Sequence, residues 1–286
     1  MHAPRSITPQ PDPARVEALS RDLVIDDDAQ VLSWGEEARL ALADAADRVL
    51  AEARSRDIDD ARDLLRHALG VIEDLRPAAL TPRSGLGGLF DSRGGRLRKF
   101  RERFDAAART LKAVGEDLGG HALSIERRLT NLDAHGEDLR NDILDVEAHM
   151  AAAPRPALPP ATEDDPEPAP HHIHARLRVL AAAVGQAVRL LPLGRCAQNA
   201  DCGLPSTLRE ATGAVEEWAA AWRERLGLDR RRPRRVRPDA SAMETERARL
   251  AEALQAVDAR LAAARTRRSG IDARMAAAAA AVRRPA

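Results

Sequence analysis

The chain contains few aromatic residues, few cysteines and no net charge. Tyrosine is absent and aromatic residues make up 2% of the 286 residues, which argues against a platform for stacking nucleic-acid bases. Two cysteines are too few for a disulfide-stabilised scaffold. Lysine plus arginine and aspartate plus glutamate number 45 each. A generally basic surface for nucleic acid or anionic lipid is therefore excluded, and any such site would have to be local.

Long apolar runs are also missing from the sequence. Residues 1–16 are polar and interrupted by prolines, without the apolar centre of a secretory signal. No apolar run approaches the roughly 20 residues that cross a bilayer, and the run Ala276–Val282 is too short. We therefore expect a cytoplasmic protein without a transmembrane segment.

The chain is rich in apolar residues at helical spacing. One stripe of them recurs at steps of three and four residues, the spacing of a coiled-coil seam. The stripe consists of Leu97, Phe100, Phe104, Ala107, Leu111, Val114, Leu118, Ala122, Ile125, Leu129, Leu132, Leu139, Ile143, Val146 and Met150. Such a stripe requires a partner from this chain or another. Because no segment alternates with a period of two for long, we predict an all-α fold of long coiled-coil-type helices in an extended bundle, with no sheet.

Breaks in the helical pattern predict four regions. Residues 1–27 are predicted to form a mobile tail, with a short helix in Pro13–Val24. Residues 28–150 are predicted to hold a helical hairpin, a glycine-rich loop and the long coiled-coil helix. Residues 151–172 form a predicted linker, since proline and acidic residues at this density favour an extended spacer. Residues 173–286 are predicted to form a C-terminal helical bundle.

Within these regions the periodicity predicts individual helices. The hairpin helices are expected over Asp28–Ser55 and Asp60–Leu75, followed by a loop over Pro77–Gly95. The long helix is expected from about Arg96 to Met150, with local unwinding at the step of four from Leu118 to Ala122. Three further helices are expected over His174–Leu191, Pro205–Leu226 and Pro238–Val282.

Histidines and cysteines of the C-terminal half are the residues most typical of a metal site. His171, His172 and His174 lie at the start of a predicted helix, and Cys196 and Cys202 follow in a predicted loop. Soft metals use such ligands, but the spacing between the cysteines is not usual for zinc, and exposed histidines are common at a linker edge. We predict no metal site. The two thiols could also form a redox pair, although no CxxC motif supports one.

The remaining motifs predict no catalytic centre. Arg230–Arg237 (RRRPRRVR) could bind phosphates, but a solvated connector at a helix C-terminus is the competing interpretation. Gly85–Gly88 lacks the GK[ST] ending of a phosphate loop, and Trp34, Trp218 and Trp222 are most simply packing anchors. No nucleophile or carboxylate pair stands out. We therefore predict no catalytic residues, no cofactor, no small-molecule substrate and no nucleic-acid partner.

Several segments, taken in order, resemble the TelA-like toxic-anion-resistance family, bacterial cytosolic proteins associated with tellurite resistance. Gly35–Ala38 and Ala53–Asp57 resemble the helix start and the break of that family's N-terminal hairpin. The segment GLFDSRGGRLRKF resembles its glycine–leucine–phenylalanine loop and basic helix start. Two later signatures are carried by Glu137, Asp138, Leu139, Arg140, Asn141, Asp142 and Glu147, and by Pro192, Arg195, Gln198 and Asn199. The linker at 151–170 departs from the family, in which this stretch is helical.

The resemblance implies a role in resistance but no catalytic residues. We expect a non-enzymatic cytosolic helical protein that contributes to resistance against anions such as tellurite through protein–protein assembly in a stress response. The expected partners are other proteins or a second copy bound through the 96–150 helix, and peripheral membrane contact stays open. The alternatives are a coiled-coil scaffold or adaptor in an envelope or stress response, and direct binding of an oxyanion or metal.

Overall fold

The computed structural model describes residues 10–54, 56–81, 92–154, 172–229 and 236–284. Its regular elements are α1 (Pro13–Asp22), α2 (Asp28–Ser33), α3 (Glu36–Ala53), α4 (Asp57–Asp74), a 3₁₀ helix (Pro77–Leu80), α5 (Arg93–Ala152), α6 (His172–Asp201), α7 (Leu204–Leu226) and α8 (Ala240–Arg283). No strand occurs among these residues. The predicted all-α helical bundle is confirmed.

The prediction of one continuous helix over Asp28–Ser55 is wrong in one respect, because the structure divides this segment into α2 and α3. Gly35 adopts a left-handed backbone conformation with φ of +65° between α2 and α3, a conformation that glycine reaches without a steric penalty. The helix α5 continues through Gly119 and Gly120, and the local unwinding of the supercoil predicted at this step stays a prediction. Residues 1–9 of the predicted tail and 155–171 of the predicted linker lie outside the described residues.

The helices form two compact units, and each unit is discontinuous in sequence. Unit 1 contains residues 1–54, 128–199 and 269–286, and unit 2 contains residues 55–127 and 200–268. Each unit therefore takes helices from both the N-terminal and the C-terminal half of the chain. The long helices α5 and α8 each contribute one part to unit 1 and another part to unit 2.

The apolar stripe of α5 is buried in both units by helices of the same chain. In unit 2 the stripe residues from Leu97 to Ile125 are buried, and in unit 1 Leu132, Leu139, Ile143 and Val146 are buried. Leu129 and Met150 are half-buried. Because one chain covers its own stripe, this surface is not available for a second copy unless the helices separate.

Candidate functional site

An aromatic cluster joins α5 to α7 in unit 2. The ring of Phe104 lies 5.6 Å from that of Trp218 and 5.9 Å from that of Trp222, measured between centroids. Phe100 lies 5.9 Å from Trp222, and the two tryptophans are 4.7 Å apart. All four side chains are buried. Trp218 and Trp222 are therefore core residues, and Trp34, the third tryptophan predicted to be a packing anchor, is buried in unit 1.

Next to this cluster, α5 and α7 form an apolar groove of about 650 Å³. The helices approach closely at its edge, where Thr212 Oγ1 donates a hydrogen bond of 3.3 Å to the carbonyl oxygen of Gly115. A Cβ added to Gly115 would lie 3.3 Å from the Thr212 methyl group, so a larger residue would require this methyl group to shift by a few tenths of an ångström. The apolar lining consists of Ala108, Leu111, Val215, Ala219 and Ala220. We call this surface the α5–α7 groove.

Charges of both signs border the α5–α7 groove. Along α5 its lining includes Asp105, Arg109, Lys112 and Glu116, at successive spacings of four, three and four residues. Residues at these spacings follow one edge of a helix, as charged residues do beside a coiled-coil seam. Glu216 and Arg223 border the groove on α7. The arrangement suits an amphipathic helix better than a small anion, because a small anion would face carboxylates on both sides.

A second groove in unit 2 lies between α4 and α5 and is mainly acidic. It has a volume of about 760 Å³, and its lining includes Asp57, Asp60, Asp63, His67 and His121. Ser124 Oγ donates to one oxygen of Asp57 at 3.2 Å, and His121 Nδ1 lies 3.4 Å from the other. Asp57 and Asp60 belong to the first turn of α4, where negative charge stabilises the helix dipole. Asp57 and Asp60 therefore have a structural role at the start of α4.

The structure separates the residues that sequence analysis considered as metal ligands. His172 and Cys196 lie on the same continuous helix, α6, and a rise of about 1.5 Å per residue puts them roughly 36 Å apart. The expectation that Cys196 lies in a loop is therefore wrong, whereas Cys202 follows the end of α6. Both thiols are exposed and unbridged. Across the described ranges, no three His, Cys, Asp or Glu side chains are grouped to hold a metal ion.

The Gly35 segment, one of the resemblance motifs, organises a cluster of charged side chains in unit 1. Glu36 accepts hydrogen bonds from Arg39 at 2.6 and 3.0 Å and from Arg176 of α6 at 2.7 Å. Arg176 also donates to the carbonyl oxygen of Trp34 at 2.6 Å. The hydrogen bonds from Arg39, together with Arg176 and against the effect of burial, lower the pKa of Glu36 to about 2. We call Glu36, Arg39 and Arg176 the Glu36 clamp. It joins α3 to α6.

The other resemblance residues also have structural roles in unit 1. Gln198 donates to the Leu129 carbonyl oxygen at 3.1 Å, which ties α6 to α5. Arg140 pairs with Glu137 one turn away. Burial raises the pKa of Asp142, whereas Arg195 and Asn199 are exposed. Sequence analysis missed the Glu36 clamp because Arg176 is 140 residues from Glu36, and the only local signal was the Gly35–Glu36 helix start.

Two candidate phosphate-binding segments fall largely outside the described residues. Gly85–Gly88 lies wholly outside them, and of Arg230–Arg237 only Val236 and Arg237 are described. Among the described helices, the stretch His172–Leu226 contains a window long and apolar enough to cross a membrane by length and composition. A third of that window is buried, and a core helix of a soluble protein meets the same criterion.

Comparison with known proteins assigns the family. The profile of the toxic anion resistance protein (TelA) family matches residues 16–160, which include the Gly35 segment, the Ala53–Asp57 break and the Glu137–Asp142 signature. No curated protein and no solved structure matches the chain significantly. The matched segment is half of the chain and runs from α1 to beyond the end of α5. The protein therefore belongs to the TelA family of toxic anion resistance proteins.

Proposed function

We propose that this chain is a non-enzymatic cytosolic protein that contributes to toxic-anion resistance, including resistance to tellurite, by assembling with a protein partner. The α5–α7 groove is the observation that carries the proposal. Its floor is apolar, and one edge bears Asp105, Arg109, Lys112 and Glu116 in helical spacing. The occupant is an amphipathic helix of the partner, with an apolar stripe for the floor and opposite charges for this edge.

Burial of the α5 stripe supports a partner that binds elsewhere on the chain. Most residues of the stripe are buried by other helices of the same chain, within unit 1 and within unit 2. Self-association through residues 96–150 would require those helices to open. A partner in the α5–α7 groove requires no such rearrangement.

A substitution at Gly119 tests the groove without disturbing the fold. Gly119 lines the groove, and a Cβ at this position meets no atom within 4 Å. Gly119→Glu places a charged side chain there and improves helix propensity by about 0.5–1 kcal/mol. The matched control is Gly70→Glu on α4, which is exposed and equally unobstructed.

The readout is survival of a bacterial host over a tellurite dose series. Deletion of the gene is expected to raise sensitivity, Gly70→Glu to restore resistance fully, and Gly119→Glu to restore little of it. Full rescue by Gly119→Glu would remove the groove from the proposal. Unchanged survival after deletion would refute the role in tellurite resistance itself.

Direct oxyanion binding is the alternative that the exposed thiols favour. Cys196 and Cys202 are both accessible and unbridged, so they could react with an oxyanion. The double substitution Cys196→Ser with Cys202→Ser distinguishes the two functions in the same survival assay. Assembly predicts full rescue by the double variant, whereas thiol chemistry predicts that rescue is lost.

A further inference from the structure

The exposed face of α6 differs from that of an ordinary surface helix because it carries no carboxylate. From His172 to Ala200 the sequence contains four arginines and no aspartate or glutamate. Between Leu180 and Gly194 the only charged residue is Arg189. The exposed positions of this middle stretch are otherwise occupied by Ala181, Ala182, Gly185, Val188 and Pro192. Solvent-facing helices normally carry polar residues of both charges on this side.

An apolar groove of about 620 Å³ lies along this face, between α6 and the end of α8 in unit 1. We call it the α6–α8 groove. Its floor contains Pro192, Leu193, Ala277 and Ala278, and Arg189 and Arg274 border it. Among the described residues that line it, none is acidic. In the described part of the chain, neither arginine forms an ion pair with a carboxylate.

We propose that the α6–α8 groove binds anionic phospholipid at a membrane surface. The two guanidinium groups would donate charge-assisted hydrogen bonds to lipid phosphates, while their aliphatic stems and the apolar floor lie against the glycerol and upper acyl region. Basic amphipathic surfaces bind anionic bilayers in this way, through apolar burial combined with attraction to the charged headgroups. This binding is independent of the proposed partner at the α5–α7 groove.

Charge and hydropathy favour a membrane over an acidic protein as the occupant. The exposed positions of α6 between Leu180 and Gly194 are mainly apolar, and Val188 among them is 46% exposed. An acidic helical partner would require polar contacts along the face, and the exposed residues between Arg178 and Arg189 offer none with a charge. A bilayer surface supplies both the anionic group and the apolar region that this face matches.

A fluorophore on Cys196 reports occupancy of the groove directly. Cys196 lines the α6–α8 groove and is exposed, so an environment-sensitive dye can be attached in a Cys202→Ser background of the full chain. Vesicles of phosphatidylcholine with phosphatidylglycerol are the probe, and vesicles of phosphatidylcholine alone are the control. We expect a blue shift of the dye and co-flotation of the unlabelled protein with the anionic vesicles only.

Two matched double variants test which basic residues bind the anionic vesicles. Arg189→Gln with Arg274→Gln should weaken binding to anionic vesicles by about tenfold or more, since each basic residue near an anionic surface contributes appreciably. Arg109→Gln with Lys112→Gln removes the same charge from the α5–α7 groove and should leave binding unchanged. Val188→Gln, at an exposed position where folding is preserved, should weaken binding less than the arginine pair.

Three results would overturn the proposal. The first is absence of binding to anionic vesicles by dye shift and flotation. The second is an equal loss of binding in both double variants, which would indicate a nonspecific charge effect. The third is that the protein does not bind vesicles but binds a synthetic helical peptide that has glutamates beside a leucine face, and that this binding depends on Arg189 and Arg274. That result would assign the groove to a protein partner. None of these results bears on tellurite survival of the Gly119→Glu variant.

Discussion

The two units bury their helices with different kinds of side chain. The core of unit 1 is rich in alanine, with only Trp34 among its buried aromatic residues, and the Glu36 clamp joins α3 to α6 across it. The core of unit 2 contains the cluster of Phe100, Phe104, Trp218 and Trp222. Small alanine side chains and a polar clamp therefore characterise unit 1, whereas large aromatic side chains fill the core of unit 2.

The grooves of the two units differ in charge as well. The α5–α7 groove of unit 2 is bordered by aspartate, glutamate, arginine and lysine, and the α6–α8 groove of unit 1 is bordered by arginine alone. Similar volumes therefore do not imply similar occupants. The charge pattern along the edge of a groove, more than its size, indicates whether a helix or an anionic surface fits.

Removing the largest aromatic side chain should have the greatest effect on unit 2. Trp222 is fully buried, and Trp222→Ala is expected to lower the free energy of unfolding by about 3–5 kcal/mol, because it leaves a cavity between α5 and α7. Urea denaturation followed by circular dichroism measures the loss. The control Leu123→Ala, at a residue 58% exposed, should change stability by less than about 0.5 kcal/mol. An equal loss of stability in the two variants would contradict the conclusion that aromatic side chains fill the core of unit 2.

The corresponding test in unit 1 is the left-handed turn at Gly35. A Cβ at this position would lie 3.0 Å from Leu180 Cδ1, and the φ of +65° disfavours any other residue. Gly35→Ala should therefore destabilise the protein by about 1–3 kcal/mol. Gly70→Ala is the matched control, because Gly70 is in a helix with open space around its Cβ. Gly70→Ala should stabilise the protein by up to about 1 kcal/mol. Thermal denaturation should therefore show a lower melting temperature for Gly35→Ala and a higher one for Gly70→Ala.

The Glu36 clamp predicts a dependence of unit 1 stability on acid pH. Because the folded-state pKa of Glu36 is about 2, below its ordinary value of 4.5, its stabilisation is present above pH 4.5 and is lost as pH falls toward 2. Glu36→Gln should cost about 1 kcal/mol at neutral pH, a small effect because this side chain is 38% exposed. The difference between the two proteins should shrink in denaturation measurements between pH 5 and 2, and a constant difference would exclude this carboxylate as the cause.

The helices could be predicted from the sequence, but their pairing could not. The stripe from Leu97 to Met150 predicted α5 because apolar spacing of three and four residues belongs to a helix of any fold. The contact between Gly115 and Thr212 joins residues 97 positions apart, and a single sequence contains no signal for such a pair. The same holds for the buried ion pair of Asp201 with Arg268.

The candidate sites illustrate the same limit at the level of single residues. Gly119 lies within the step of four from Leu118 to Ala122, and its place in a groove follows from the packing of α7. Arg189 and Arg274 come from helices far apart in sequence, so their common groove was not predictable. The absence of acidic residues between His172 and Ala200, by contrast, is visible in the sequence and would have singled out the exposed face of α6.

We propose that this protein acts by binding a partner and not by chemistry on the anion. The most direct measurement is the amount of tellurite left in solution after incubation with the purified full-length protein and a thiol reductant. The account predicts the same amount as in a sample with heat-denatured protein or with the Cys196→Ser, Cys202→Ser variant. Faster loss of tellurite with the native protein, abolished in the double variant, would contradict it.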